Sequence, residues 1–161
     1  MQKSIFLIIF FLLHDCIADE DANCPKIIKR SQWSTTDARN SKAFDLITWI
    51  PTAGMISDIL KFLIGGDGNI YEGCGWYREG AHTYGYNKKS VGIAFIGNFQ
   101  EKLASNKMLD AAHKLILCGK SKGILRENVR VIGARQVRST ASPGFELYGQ
   151  IQDWPEWVSK P

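Results

Sequence analysis

The residues most able to bind a metal, attack an electrophile or cross-link the chain are Cys24, Cys74, Cys118, His82 and His113, and they are scattered along the sequence. Cys16 and His14 fall in an N-terminal apolar segment. No two cysteines form a C-x-x-C pair or another metal-ligand spacing. A phosphate cradle is equally poorly supported, because Gly66, Gly68 and Gly73 read as turn residues and no glycine-rich loop opens a helix. Lys88-Lys89 and the series Arg126, Arg130, Arg135 and Arg138 offer charge to an anionic partner, although a net charge of +4 is also an ordinary solvated surface. No basic run is interleaved with aromatics, so nucleic acid is not an expected partner.

What those groups do depends on the compartment. Lys3 precedes an apolar run over residues 5–13, and a small residue, Ala18, follows it at cutting distance. The run is far shorter than the ~20 residues of a membrane-spanning helix. Residues 1–18 therefore read as a secretory signal peptide, residues 19–161 as a single domain, and the mature protein as secreted and extracellular. In an oxidising compartment two of Cys24, Cys74 and Cys118 pair and one is left over, and spacing alone does not choose. The odd thiol is either buried and inert or an intermolecular contact, and burial is favoured because free cysteine is among the most buried residue types.

With 45% hydrophobic and 22% charged residues, the chain has enough apolar surface to offset its ordering entropy as one domain. Residues 44–50 have the β-branched content of a strand that Pro51 stops. Residues 61–64 and 70–72 flank Asp67-Gly68 and read as a hairpin. The apolar run over 90–96 suits a strand covered on both faces. Ser105 is a plausible N-cap for a helix with Met108, Leu109, Ala112, Leu115 and Ile116 on one face and Gly119 as its stop. A short strand is expected over 129–132, and Leu147, Tyr148, Ile151 and Trp154 fall at helical spacing after Pro143-Gly144. Buried strands with helices between them indicate an α/β domain.

Several words are also specific. Phe62-Leu63-Ile64-Gly65-Gly66-Asp67-Gly68-Asn69-Ile70-Tyr71-Glu72-Gly73, Gly75-Trp76, Gly80-Ala81-His82-Thr83-Tyr84-Gly85-Tyr86-Asn87 and Ser90-Val91-Gly92-Ile93-Ala94-Phe95-Ile96-Gly97-Asn98-Phe99 closely resemble the peptidoglycan recognition proteins of animal innate immunity. Cys24-Pro25 with Arg30-Ser31-Gln32-Trp33, and Ser142-Pro143-Gly144 with Leu147-Tyr148 and Trp154-Pro155-Glu156-Trp157, look like that family's two terminal signatures. The resemblance implies the fold of zinc N-acetylmuramoyl-L-alanine amidases: a central mixed β-sheet flanked by helices, with a groove for the muramyl peptide stem. It also implies a Cys24–Cys118 disulfide, with Cys74 unpaired.

The same resemblance implies where an amidase would hold zinc: the first His of His-His-Thr-Ala-Gly, the His of Gly-His-Arg, and a Cys before Pro-Gly. Ile50, Ala134 and Ser142 stand at those positions, so no metal or cofactor and no catalytic residue is expected. The family word Asp-Ile-Gly-Tyr-Asn appears as Asp58-Ile59-Leu60-Lys61, one residue short and without its phenol. Between Gly54 and Asp58, where relatives carry a helix-length groove wall with its own disulfide, only Met55, Ile56 and Ser57 remain.

Groove positions that survive by resemblance are Thr52, Trp76, His82 and Asn87, offering hydroxyl, ring, imidazole and amide groups to a glycopeptide. Each has a purely structural alternative: Trp76 as core, His82 as a satisfied structural histidine, Asn87 as a turn cap. Arg78 offers a guanidinium to a stem carboxylate, and equally reads as a solvated surface arginine. The expected function is a non-catalytic peptidoglycan-recognition protein, a receptor or modulator in antibacterial immunity. The alternatives are a regulator that has lost peptidoglycan and pairs with other immune proteins or relatives of its own family, and, further back, a zinc amidase.

Overall fold

The computed structural model describes residues 24–33 and 59–161. The signal peptide, the candidate strand 44–50, Ile50 and Thr52 lie outside the described residues. Within them, β1 (Ile27–Ile28), β2 (Phe62–Ile64), β3 (Ile70–Glu72) and β4 (Ile93–Phe95) form one mixed sheet in the order β1-β3-β2-β4. β2 and β3 are antiparallel with Phe62 opposite Glu72 and Ile64 opposite Ile70, while β1 beside β3 and β4 beside β2 run parallel. Every residue of β2 is buried, as its unbroken apolar sequence requires. The run over 90–96 is shorter and less covered than its sequence predicts: only Ile93–Phe95 is strand, all three residues are half-buried, and β4 ends the strand order among the described residues.

The β2–β3 turn is held by side chains that take over backbone donors. Asp67 Oδ1 accepts the Asn69 N–H at 2.9 Å, and Oδ2 accepts Asn69 Nδ2 and the Tyr71 hydroxyl, each at 2.8 Å. Gly68 sits at φ 83°, the left-handed region a side chain avoids. Burial alone would raise the Asp67 carboxyl, but the bonds from Asn69 and Tyr71 outweigh it and hold the group below its ordinary range. A carboxyl lowered on folding adds stability above its unfolded pKa of ~3.9, and that stability is lost as pH falls through the folded value. Because Asp67 is exposed, Asp67→Ala is expected to cost only about 1 kcal/mol at pH 7. The loss should shrink at pH 3, where the carboxyl is becoming protonated. Denaturant melts at both pH values check this, and an equal loss at both would count against the assignment.

Helix α1 (Asn106–Ser121) lays Met108, Ala111, Ala112, Leu115, Ile116, Cys118 and Gly119 into the core. They meet Phe62, Ile64 and Ile70 from the sheet, and Leu147 and Ile151 from helix α2 (Phe145–Gln152). Gly119 does not stop α1, contrary to expectation. The helix runs on to Ser121, and the left-handed residue is Gly123 at φ 66°. A Cβ on Gly119 would lie 2.7 Å from Leu125 and 2.9 Å from the Trp76 ring, so this glycine exists for close packing. Trp154 likewise falls beyond the end of α2, in a turn that sets its ring 4.1 Å from His113. The expected strand over 129–132 reduces to one bridge, Val131 with Trp157, because only Glu156 O and Val158 N reach Val131. Cys24 and Cys118 form a disulfide across a sequence separation of 94 residues, as the resemblance implied, and the leftover Cys74 is buried.

Candidate functional site

The site grows from the start of β2. Lys61 is only 6% exposed, and its Nζ donates to the carbonyls of Arg78 (2.7 Å), Trp76 (2.9 Å) and Gly75 (3.5 Å). Its backbone carbonyl accepts from Gly73 N and Gly75 N, and its own N–H reaches Gly92 O at 3.0 Å. One residue thus ties the loop of residues 73–78 to the strand leading into β4. A buried ammonium needs such acceptors, because an unpaired one would forfeit its hydration without return.

His82 lies against this framework. A Cβ on Gly92 would come within 2.5 Å of its ring and one on Gly80 within 2.9 Å, so only glycines leave room for the imidazole. Nδ1 is 3.3 Å from Thr83 Oγ1, whereas Nε2 is buried with no hydrogen-bond partner among the described residues. Burial first, and then the positive charge of Lys61, hold the imidazole below its ordinary range, against a backbone hydrogen bond at Ser90 that acts the other way. The ring is therefore neutral at pH 7, with Nδ1 facing Thr83 Oγ1 and Nε2 enclosed without a partner among the described residues.

Asn87 opens the 3-10 turn Asn87–Lys89, and its Oδ1 accepts the Thr83 N–H at 2.8 Å. It fixes the loop that carries His82, which is the turn-cap role. The Arg138 guanidinium donates to His82 O at 3.0 Å. Arg138 follows the 3-10 turn Ala134–Gln136, and Arg135 N in that turn donates to Ser142 O at 3.0 Å, so the segment that carries Ala134 is tied to Ser142 and, through the Arg138 guanidinium, to the His82 backbone. Trp76 belongs to the core: its ring centroid is 4.5 Å from that of Phe62 and its far edge meets Gly119. The ring is only partly buried, so packing accounts for one face of it. Arg78 and Tyr77 are exposed, and Arg78 contributes its carbonyl to Lys61. His113 lies on α1 beside Trp154, away from this corner. No three His, Cys, Asp or Glu side chains converge as a metal site among the described residues.

Sequence reading missed Lys61 and Arg138 as parts of the site. The signal for Lys61 was present: a lysine directly before three buried apolar residues must either leave the core or find acceptors within it.

Comparison with known proteins gives this corner its context. Residues 8–145 match the family model described as N-acetylmuramoyl-L-alanine amidase. The chain is similar to Peptidoglycan-recognition protein SA of Drosophila melanogaster, 56% identical over 101 residues, which is 63% of this chain and 50% of that protein. It spans about half the length of several curated relatives it matches. The X-ray structure of Apis mellifera PGRP-SA superposes with a TM-score of 0.70 at 54% identity, covering 84% of this chain and 100% of that one. Human PGRP-IBETAC, in complex with glycosamyl muramyl pentapeptide, superposes with a TM-score of 0.59 at 41% identity, covering 62% of this chain and 60% of that one. The family words, the mixed sheet, the Cys24–Cys118 bridge and these matches agree: the chain belongs to the peptidoglycan recognition proteins, within the N-acetylmuramoyl-L-alanine amidase family.

Proposed function

We propose that this protein is a secreted, non-catalytic peptidoglycan-recognition protein that acts as a receptor or modulator in antibacterial immunity. The observation that supports this reading is the His82 loop with its polar groups, together with the loss of metal-binding side chains at the three positions where the family resemblance puts zinc ligands. A hydrolytic zinc needs three nitrogen, sulfur or carboxylate ligands and an open position for water. A methyl group at Ala134, an alkyl chain at Ile50 and a hydroxyl at Ser142 do not make that donor set, so the residues present do not fit zinc. No hydrolytic step is therefore assigned to them. The neutral His82, by contrast, has an Nε2 without a partner among the described residues, on a loop that the Asn87 amide fixes through Thr83 N–H, and such neutral groups suit an uncharged sugar and a peptide backbone. The bound muramyl pentapeptide of human PGRP-IBETAC supports the same ligand class.

In this reading His82 is the principal ligand contact, Asn87 fixes its loop and adds an amide, Thr52 lends a hydroxyl, and Arg78 offers charge to a stem carboxylate. Trp76 contributes by packing. The partner is bacterial peptidoglycan, and pairing with other immune proteins is a further route of action. The test is co-sedimentation of the folded, oxidised protein with insoluble lysine-type and diaminopimelate-type peptidoglycan. Saturable binding to either is expected. His82→Ala should weaken it about tenfold, as expected for losing one hydrogen bond to a desolvated group. Affinity should be flat above pH 6.5 and fall as pH drops through the lowered value of His82, because a charged imidazole must then be held beside Lys61. Failure of the folded protein to bind either wall type would leave a regulator acting through other proteins. Stoichiometric zinc with release of stem peptides would make it an amidase.

A further inference from the structure

We infer that Lys61 is the positioning residue of the His82 corner: its ammonium serves as a tethered monovalent cation that fixes the carbonyls of residues 75–78, and with them the ledge on which His82 meets a ligand. The geometry is that of a cation cage. Three carbonyl oxygens, of Gly75, Trp76 and Arg78, converge on one Nζ at 3.5, 2.9 and 2.7 Å, and no carboxylate pairs with it among the described residues. Three backbone carbonyls of one short loop that point inward repel one another, and a positive charge between them offsets that repulsion. The same residue reaches the ledge directly. Lys61 N donates to Gly92 O, Gly92 is where the His82 ring rests, and Ala81 N is held by Ile59 O two residues before Lys61.

Two cationic groups act on His82 in this arrangement, Lys61 through its charge and Arg138 at the His82 carbonyl, with Thr83 Oγ1 at Nδ1 and Gly80, Ser90 and Gly92 around the ring. Lys61 therefore helps to position the imidazole and adds, after burial, to keeping it neutral. The inference rests on the recognition function proposed above only for its consequence, ligand binding; the cage itself stands without it.

Chemical rescue tests it. Lys61→Ala keeps Cβ and removes three methylenes and the ammonium, which together have the shape of n-propylammonium. In Lys61→Ala the His82 ring titration, followed by NMR without peptidoglycan, should move up. Peptidoglycan co-sedimentation should fall about tenfold or more as the ledge loosens. Millimolar n-propylammonium should reverse both and leave wild type unchanged, while n-propanol, which lacks the charge, should reverse neither. A folded Lys61→Ala variant with wild-type titration and loop amide shifts, or one that the amine does not rescue, would overturn the inference.

Should the variant fail to fold, the wild-type protein decides. The Lys61 ammonium must then give a slowly exchanging 15N signal with scalar couplings to the Trp76 and Arg78 carbonyls, and an ammonium exchanging as fast as surface lysines would refute the cage. If wild type does not bind peptidoglycan but its caged ammonium and the amine-reversed titration are seen, the functional reading fails and the cage survives.

Discussion

Removing the Cys24–Cys118 bridge is expected to lower the unfolding free energy by about 4 to 5 kcal/mol, the loop-closure entropy returned to an unfolded chain freed of a loop of this length. That is a large share of the 5–15 kcal/mol that holds a typical domain together. The bridge ties the N-terminal segment to the long helix α1. Among the described residues the two-residue β1 pairs with β3, and the N-terminal segment is further held by Trp33, whose Nε1 donates to Glu72 O, by Glu72 contacts to Lys29 and Arg30 N, and by the disulfide to α1. Lys29 and Glu72 are partly exposed and the pair adds at most about 1 kcal/mol. The Cys24→Ala/Cys118→Ala double variant should lose the midpoint equivalent of 4 to 5 kcal/mol in urea. Dithiothreitol should lower wild type by a similar amount, with the buried Cys74 reacting with iodoacetamide only on unfolding. A shift below about 1 kcal/mol in both experiments would mean that the unfolded chain is already compact around this loop.

Much of this architecture was legible before any coordinates, for reasons that differ from element to element. The β2–β3 hairpin could be read because Asp67-Gly68 specifies a local conformation that no distant contact needs to supply. The buried face of α1 followed from its spacing, but its end did not. Gly119 has the residue type of a helix stop, and what decides its role is Trp76, which arrives from more than forty positions earlier in the chain. The strand over 129–132 failed for a related reason: β-propensity marks what fits a sheet, and here only one residue of the C-terminal segment is in register to pair.

At the site, His82 and Asn87 were visible through family words, and that they share one loop was implied by their closeness in sequence. The role of Trp76 was not separable from sequence, since a tryptophan beside a turn serves packing and ligand equally well until its neighbours are known. Lys61 was hidden because the three carbonyls that satisfy it belong to residues 75–78 and carry no side-chain signature at all. Backbone acceptors leave no mark on composition or motif, so a site built from them emerges only when the chain closes on itself.

Phe62→Ala should therefore be the most damaging single substitution in the core, costing about 3 to 5 kcal/mol through lost burial and an unfilled cavity. Phe62 is fully buried at the head of β2, one residue after Lys61, and its ring stacks at a tilt against Trp76. Aromatic pairs of this geometry contribute about 0.5–1.5 kcal/mol beyond their area, and this one also has a positional effect. The Trp76 carbonyl is one of the oxygens on Lys61 Nζ, so a Trp76 ring that loses its support loosens the loop around the ammonium. Core packing and the His82 corner are joined through one residue's two ends, its ring in the core and its carbonyl in the site. Phe62→Ala should then lose peptidoglycan retention at urea concentrations well below its own unfolding midpoint. Phe62→Leu, which keeps most of the volume, should cost less than about 1.5 kcal/mol and retain binding. Equilibrium melts paired with co-sedimentation separate the two effects. If Phe62→Ala binds as wild type wherever it remains folded, the ring does not support the site, and the link between core and corner must run through the backbone of Lys61 alone.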